Sequence, residues 1–232
     1  MWLGSAATIR ADRVVMAPIH QAIYYDNTEA LRRELERGVS PDMRDDNGDP
    51  PLITAVQHKR ADCVSMLLQW GADPNANKDN NAAVTVLHLA SYYGVLDCVR
   101  MLLEGGAAVN ARLAAREGPP AIKPWLPIDY ARFGSTNLKT RRAVYALLLR
   151  AGSELPTELS ERSRREDPYL SRIMDAGSFK AYERAHLAAL AKTLSPKLAL
   201  PPGLVRTVVE FYLHAGFYPF TAARAPAAAP TA

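Results

Sequence analysis

Two histidines and two cysteines are the side chains of this chain best suited to binding a metal or to catalysis: His20, His88, Cys63 and Cys98. Common structural metal sites need closely spaced ligands, such as a CxxC pair or a Cys/His pair, and neither spacing occurs. Ser/His/Asp, HExxH, Walker and GxGxxG patterns are also absent from the sequence. We therefore predict no catalytic residue, no metal site, no cofactor and no enzymatic activity.

Three acidic residues in turn-rich segments could suggest acid/base chemistry: Asp45, Asp46 and Asp79. Such residues at loop tips hydrogen-bond the turn backbone or face solvent. A pair of carboxylates that acts as acid and base needs burial to separate the two pKa values, and loop tips do not provide it. We expect these aspartates to have structural or surface roles.

The two cysteines belong to a repeated element. Residues 62–71 and 97–106 are nearly the same sequence, 35 residues apart, and each places its cysteine at the same position. Self-similarity at this period indicates stacked supersecondary units, none of which buries its apolar face alone. We predict that both thiols pack on buried helix faces, in a reducing compartment.

Each unit has the pattern of a helical hairpin closed by a glycine. The step from an alanine in the first helix to the closing glycine is always 16 residues, while the connections between units vary in length. A helical hairpin does not tolerate an insertion, because an insertion rotates the packed face, whereas surface loops do. The three alanine–glycine pairs are Ala22 with Gly38, Ala55 with Gly71 and Ala90 with Gly106.

The two histidines occupy equivalent positions of the first and third units. Stacking therefore separates His20 from His88 by two layers, roughly 20 Å at about 10 Å a layer. This distance is too large for one metal ion to bind both.

A fourth, altered copy follows. Its step from Ala131 to Gly152 is 21 residues, which indicates about five inserted residues around 134–139 and a second helix over 143–150. Beyond it, helical spacing predicts helices over 168–175 and 179–194 and a last amphipathic helix over 203–214. The segment 221–232 is rich in alanine and proline and is expected to be disordered.

These motifs resemble the ankyrin repeat family. The family's helix start, Thr-Pro-Leu-His-x-Ala, is matched by residues 85–90 and in part by 17–22 and 51–55, and its Leu-Leu-x-x-Gly-Ala-x-x-Asn stop by 67–75 and 102–110. The resemblance covers about 17–152 and implies an all-α solenoid of helical hairpins with long loops. It also implies that His20 and His88 hydrogen-bond loop backbone between repeats. The fourth copy lacks the Asn of the stop, which is typical of a divergent capping repeat.

The resemblance suggests the following division of the chain. We predict an N-terminal extension over 1–16 and repeats over 17–155, with copies at about 17–48, 49–82, 83–118 and 124–155. A C-terminal helical region over 156–220 and the tail over 221–232 complete the chain.

The C-terminal region allows two interpretations. Residues 200–205 faintly resemble the Leu-Pro helix start of F-box motifs and of the cullin-contacting half of SOCS boxes, but residues 185–194 lack the cysteine of an elongin-binding segment. Residues 179–214 therefore either recruit a ubiquitin-ligase adaptor or cap the solenoid and cover its last apolar face. Capping is the interpretation we favour.

The charge is unevenly distributed. Residues 1–110 carry 10 Lys/Arg and 14 Asp/Glu, and residues 111–232 carry 18 and 10. The basic charges are dispersed, which favours a solvated helical surface over a nucleic-acid site. No stretch reaches the ~20 apolar residues of a membrane span, and we read no secretory signal. We expect an intracellular monomer, cytoplasmic or nuclear.

Aromatic residues give the sharper functional signal. Tyr24 and Tyr25, Gln57 and His58, and Tyr92 and Tyr93 hold the same offset from the first-helix alanine, a position that faces solvent on the concave side of ankyrin repeats. Tyrosine is enriched in binding hot spots. The alternative is that one tyrosine of each pair packs between helices. We predict a module that binds a protein partner of unknown identity through these residues and the loop tips, the candidate contacts being Tyr24, Tyr25, Arg44, Asp46, His58, Trp70, Lys78, Asp79, Tyr92 and Tyr93.

Overall fold

A computed structural model describes residues 17–78, 84–112, 125–134, 137–156, 164–165, 167–198, 201 and 204. Apart from an antiparallel bridge between Asn77 and Thr85, the regular structure of these residues is helical. The helices discussed below are α1 Pro18–Tyr24, α2 Thr28–Glu36, α3 Pro51–Gln57, α4 Ala61–Gln69, α5 Val86–Tyr93, α6 Leu96–Glu104, α7 Pro127–Phe133, α8 Leu138–Arg150, α9 Pro168–Asp175 and α10 Phe179–Leu198.

The first eight helices form four hairpins stacked in two layers. The first helices α1, α3, α5 and α7 pack side by side, and so do the second helices α2, α4, α6 and α8. The core lies between the layers and is built from apolar side chains that recur in each hairpin, such as Ile19, Leu52, Leu87 and Ile128. The predicted all-α solenoid is confirmed.

The closing glycines adopt a left-handed backbone conformation. Gly38, Gly71, Gly106 and Gly152 have φ values of 86°, 86°, 90° and 94°. This left-handed conformation costs a residue with a side chain free energy, and glycine adopts it readily. The glycine therefore ends each second helix and turns the chain into the next loop.

A repeated hydrogen bond joins successive hairpins on the loop side. The side chain four residues after each closing glycine accepts from a backbone N–H of the next hairpin. A carboxylate oxygen of Asp42 accepts from the N–H of Asp73 at 3.0 Å, Oδ1 of Asn75 from that of Ala108 at 2.7 Å, and Oδ1 of Asn110 from that of Glu154 at 2.9 Å. The fourth hairpin has Pro156 at this position, whose side chain has no acceptor, so the series ends there.

Both cysteines are core residues, as predicted. Cys63 on α4 and Cys98 on α6 are fully buried free thiols. Burial raises the pKa of the Cys63 thiol to about 11 and that of Cys98 to about 12. At neutral pH both are protonated apolar groups that contribute packing.

The fourth hairpin differs from the prediction. Its second helix, α8, starts at Leu138 and not at residue 143, because Asn137 caps it by accepting from the N–H of Thr140 at 2.9 Å. Much of the predicted insertion thus forms an extra turn of helix.

Two further helices follow the fourth hairpin. α9 packs on α8 through the buried Leu170 and Ile173, and α10 packs on α9. Arg150 of α8 pairs with Glu183 of α10 at 2.7 Å. α10 extends to Leu198, four residues past the predicted end, and includes Pro196 although proline removes a helical hydrogen bond.

Several predicted segments lie outside the described residues. They are the extension 1–16, the tail 221–232 and nearly all of the last helix over 203–214.

Candidate functional site

The two buried histidines connect neighbouring hairpins. Nε2 of His20 donates to the carbonyl oxygen of Asp49 at 3.0 Å, and Nε2 of His88 donates to that of Trp125 at 3.2 Å. Each carbonyl lies in the loop that leads to the next hairpin. The predicted structural role of these histidines is confirmed.

The second ring nitrogen distinguishes the two sites. Nδ1 of His88 lies 2.8 Å from Oγ1 of Thr85 and accepts from the Thr85 N–H at 3.3 Å. Nδ1 of His20 is buried without a hydrogen-bond partner, because Ala17 stands at the corresponding position. Burial lowers the pKa of His88 to about 4, so this imidazole is neutral at pH 7.

A set of exposed or half-buried aromatic side chains lies at the carboxyl ends of the first helices. We call Tyr24, Tyr25, His58, Tyr92, Tyr93 and Phe133 the aromatic row. Each residue is either among the last two of a first helix or its C-cap. Because the first helices stack side by side, this shared register brings the side chains to one edge of the stack.

At the start of the row, aromatic rings of the first and second hairpins are in contact. The rings of Tyr24 and Tyr25 are perpendicular, with centroids 5.1 Å apart, and Tyr24 meets His58 edge to face at 4.9 Å. Tyr24 is 45% exposed, Tyr25 is 68% exposed, and His58 is also exposed. These three side chains are available to a partner.

The third hairpin presents its tyrosines differently. Tyr92 and Tyr93 are half-buried, in perpendicular contact at 5.4 Å, and Tyr93 packs against the core. Tyr92 also meets Tyr130 of α7 at 6.3 Å. The alternative, in which one tyrosine of a pair packs between helices, therefore applies to Tyr92 and Tyr93, whereas Tyr24 and Tyr25 remain exposed.

The fourth hairpin adds aromatic residues that the sequence analysis missed. Phe133 is 50% exposed and stacks on Trp125 at 4.8 Å, and Trp125 is 41% exposed. Phe133 follows Ala131 by the same two residues that separate Tyr24 from Ala22. The repeat offset could therefore have identified Phe133, whereas Trp125 belongs to a loop with no periodic position.

Close backbone packing places Phe133 beside the third hairpin. Gly134, directly after Phe133, is buried, and a Cβ atom at this position would overlap the carbonyl oxygen of Tyr92 and lie 2.8 Å from its carbonyl carbon. Only glycine allows this approach.

An open groove of about 900 Å³ adjoins the row at the third and fourth hairpins. Tyr92 and Tyr93 line it, with Lys59 from the turn between α3 and α4 and Asn137 and Thr140 from the start of α8. The groove lies at the hairpin-turn end of the stack, so the row continues into a concave surface.

Charges are few on this face. Helices α1, α3 and α5 contain no Asp, Glu, Lys or Arg. Lys59 beside the groove and Arg132, whose guanidinium lies 4.6 Å from the centre of the Phe133 ring, form no ion pair within the described part of the chain. Acidic residues lie at the same hairpin turns: Asp97 lines the groove, and Glu29 and Asp62 occupy the equivalent position in their hairpins. The charge next to the row is thus mixed.

The predicted loop-tip contacts form a separate group. Arg44 donates to the carbonyl oxygens of Gly48 and Asn77 at 2.6 and 2.9 Å, and Lys78 pairs with Asp49 at 3.0 Å. Both side chains hold two neighbouring loops together. Asp46 is exposed, and Asp79 lies outside the described residues.

Neither the loop tips nor Trp70 lie with the row. The loops precede the first helices, so a seven-residue helix of about 10 Å separates them from the aromatic side chains. Trp70, 43% exposed, caps α4 in the layer of second helices. The predicted contacts that the structure describes therefore fall into three places on the surface.

Among the described residues, no helix has the length and apolarity needed to cross a membrane.

A family model of ankyrin repeats (3 copies) matches residues 19–113. Residues 19–113 are three ankyrin repeats. The fourth hairpin follows this match and packs on the third in the same manner.

Three curated relatives contain matching regions. A putative E3 ubiquitin-protein ligase of Arabidopsis thaliana, XBAT31, is 29% identical over 160 residues, 69% of this chain and 29% of the relative. The putative ankyrin repeat protein FPV222 of Fowlpox virus is 36% identical over 62 residues, 27% of this chain and 8% of the relative. The E3 ubiquitin-protein ligase KEG of Arabidopsis thaliana is 35% identical over 77 residues, 33% of this chain and 5% of the relative.

The chain thus spans less than a third of the length of each of these relatives. Ankyrin repeats mediate protein–protein interactions, and the family is typically non-enzymatic.

Proposed function

We propose that this protein is a non-enzymatic binding module whose aromatic row contacts a protein partner. The observation that supports this is the row itself: six aromatic side chains contributed by four consecutive hairpins at one edge of the stack. Tyrosine offers a large contact area with few rotatable bonds and a hydroxyl group that hydrogen-bonds.

The rigidity of the scaffold also supports binding. The row sits on helices fixed by the two-layer core, and Tyr24, Tyr92 and Phe133 are further ordered by contacts with other rings. A preformed surface loses little conformational entropy when it binds, so more of the contact energy becomes affinity.

Other residues that could suggest catalysis already have structural roles. His20 and His88 are bonded to backbone carbonyls, and Cys63 and Cys98 are buried. The proposal accordingly includes no catalytic step and no cofactor. Two free, buried thiols also suit a reducing intracellular compartment, and the proposal keeps the expectation of a cytoplasmic or nuclear monomer.

Affinity capture with matched variants tests the row. We expect Tyr25→Ala combined with Phe133→Ala to remove capture of the partner while circular dichroism stays native, since both side chains are half or more exposed. Trp70→Ala is the matched control, with an aromatic side chain of similar exposure in the other layer. Unchanged capture by the double variant, or an equal loss with Trp70→Ala, would contradict a binding site on the row.

A second candidate function is substrate recognition for a ubiquitin ligase. Its support is that two of the relatives are named as E3 ubiquitin-protein ligases; the one named as putative is aligned over 69% of this chain. In this version the repeats over 17–155 choose the substrate, and residues 179–214 recruit an adaptor.

Co-purification with elongin-type or Skp1-type adaptors tests that candidate. Recruitment should be lost when the chain is truncated at Lys180, which removes nearly all of α10. Truncation after Leu198 keeps α10, and loss of recruitment in both truncations would assign the contact to residues 199–214. Absence of either adaptor from the full-length preparation would count against this function.

A further inference from the structure

The spacing of the aromatic row matches that of one particular peptide conformation. Packed helices lie about 8–10 Å apart, so the four first helices span about 27 Å. A polyproline II helix rises about 3.1 Å per residue and about 9.3 Å per three-residue turn. One turn therefore corresponds to one hairpin, and about nine residues extend along the whole row.

The ring geometry suits the side chain of proline. Tyr24 is perpendicular to both Tyr25 and His58, at interplanar angles of 86° and 74°, and Tyr92 is perpendicular to Tyr93 at 82°. Each such pair presents a ring face next to a ring edge, a right-angled notch for a flat pyrrolidine ring. The tyrosine hydroxyls can donate to the carbonyl oxygens of a polyproline II backbone, which forms no internal hydrogen bonds.

We propose that the aromatic row binds a proline-rich segment of the partner protein in the polyproline II conformation, one turn per hairpin. This proposal rests on the proposed function and names the chemistry of the partner. Recognition of such segments by aromatic-lined grooves is a general mode of peptide binding.

Fluorescein-labelled peptides of defined sequence test the proposal by anisotropy titration of the full-length protein. Nonaproline should bind at least tenfold more tightly than a flexible Gly-Ser nonamer, and affinity should rise from three to six to nine prolines.

Variants assign the binding to the row. Tyr25→Ala combined with Tyr92→Ala should weaken nonaproline binding at least tenfold, whereas Trp70→Ala should leave it unchanged. Tyr92 is half-buried, so Tyr25→Ala alone serves as a second variant whose fold is not at risk. It should weaken binding at least threefold.

Equal affinity for the flexible nonamer, or equal loss with Trp70→Ala, would overturn the polyproline proposal. If the row variants abolish partner capture while nonaproline does not bind, the proposed function stands and this inference fails. If neither capture nor peptide binding responds to the row variants, both fail.

Discussion

Lowering the pH from 7 to 4 should destabilise this fold through His88. The imidazole is fully buried and its two nitrogens have opposite roles, Nε2 donating to Trp125 and Nδ1 accepting from Thr85. Protonation of Nδ1 would bury a charge and remove the acceptor of the Thr85 hydrogen bonds. The folded protein therefore resists binding a proton that the unfolded chain binds readily.

The size and sign of the effect follow from the pKa values. Burial lowers the pKa of His88 from 6.5 to about 4, a difference of about 3 kcal/mol when His88 is fully protonated in the unfolded chain. Because the folded pKa is the lower one, the contribution to stability is complete above pH 6.5 and is lost as the pH falls towards 4. Relative to pH 7, the loss is about 2 kcal/mol at pH 5 and about 3 kcal/mol at pH 4.

Two measurements check this prediction. Urea denaturation at pH 7, 6, 5 and 4.5 should show that the His88→Gln variant, although less stable at pH 7, loses about 2 kcal/mol less than the native protein on going to pH 5. Every other titrating group is common to both proteins and cancels in the comparison. The imidazole NMR signals of His88 should not titrate above pH 5. A midpoint near 6.5, or parallel acid losses in the two proteins, would refute the burial argument.

Other substitutions test the local packing and capping. Ala17→Thr should raise the free energy of unfolding by about 1 kcal/mol in urea denaturation, because the hydroxyl supplies the missing partner of Nδ1 of His20. Ala17→Val is the control, since valine has the same shape and no hydroxyl. An equal gain from Ala17→Val would disprove the hydrogen bond. Gly134→Ala should cost about 1–3 kcal/mol in thermal unfolding, because the new Cβ overlaps the Tyr92 carbonyl. Gly105→Ala is the control: at a helical φ of −74° its Cβ would lie 3.2 Å from the carbonyl oxygen of Met101, without overlap, so it should cost less than Gly134→Ala. Similar losses in both glycine variants would contradict the close approach.

Gly134 also connects stability with function. Its close approach to Tyr92 holds the end of α7, and therefore Phe133, beside the third hairpin. A Gly134→Ala protein that remains folded should hence show weaker partner capture than native protein.

Much of the fold could be predicted from local sequence pattern. The helical hairpins, the glycines that close them and the burial of Cys63 and Cys98 all follow from a repeated helical period and its turn residues. These features are predictable because each depends on residues within one hairpin, and because the same sequence pattern occurs in several hairpins.

The start of α8 was not predictable by the same rule. The 21-residue step indicated inserted residues without saying whether they form loop or helix, and the cap at Asn137 decided for helix. One side-chain hydrogen bond at a helix start is comparable in free energy to the propensity differences on which the prediction relied.

The repeat offset determined which residues occupy equivalent positions, and it placed the tyrosines at the ends of the first helices. Packing between hairpins determined what these positions became. Tyr25 is exposed because nothing in the described part of the chain covers it, whereas Tyr92 is half-buried because α7 lies against it with Tyr130. Likewise Arg44 and Lys78, polar loop residues by sequence, became links between neighbouring loops. The burial and the contacts of a side chain depend on the neighbouring hairpin. The repeat period within one hairpin does not indicate which side chains the next hairpin places against it.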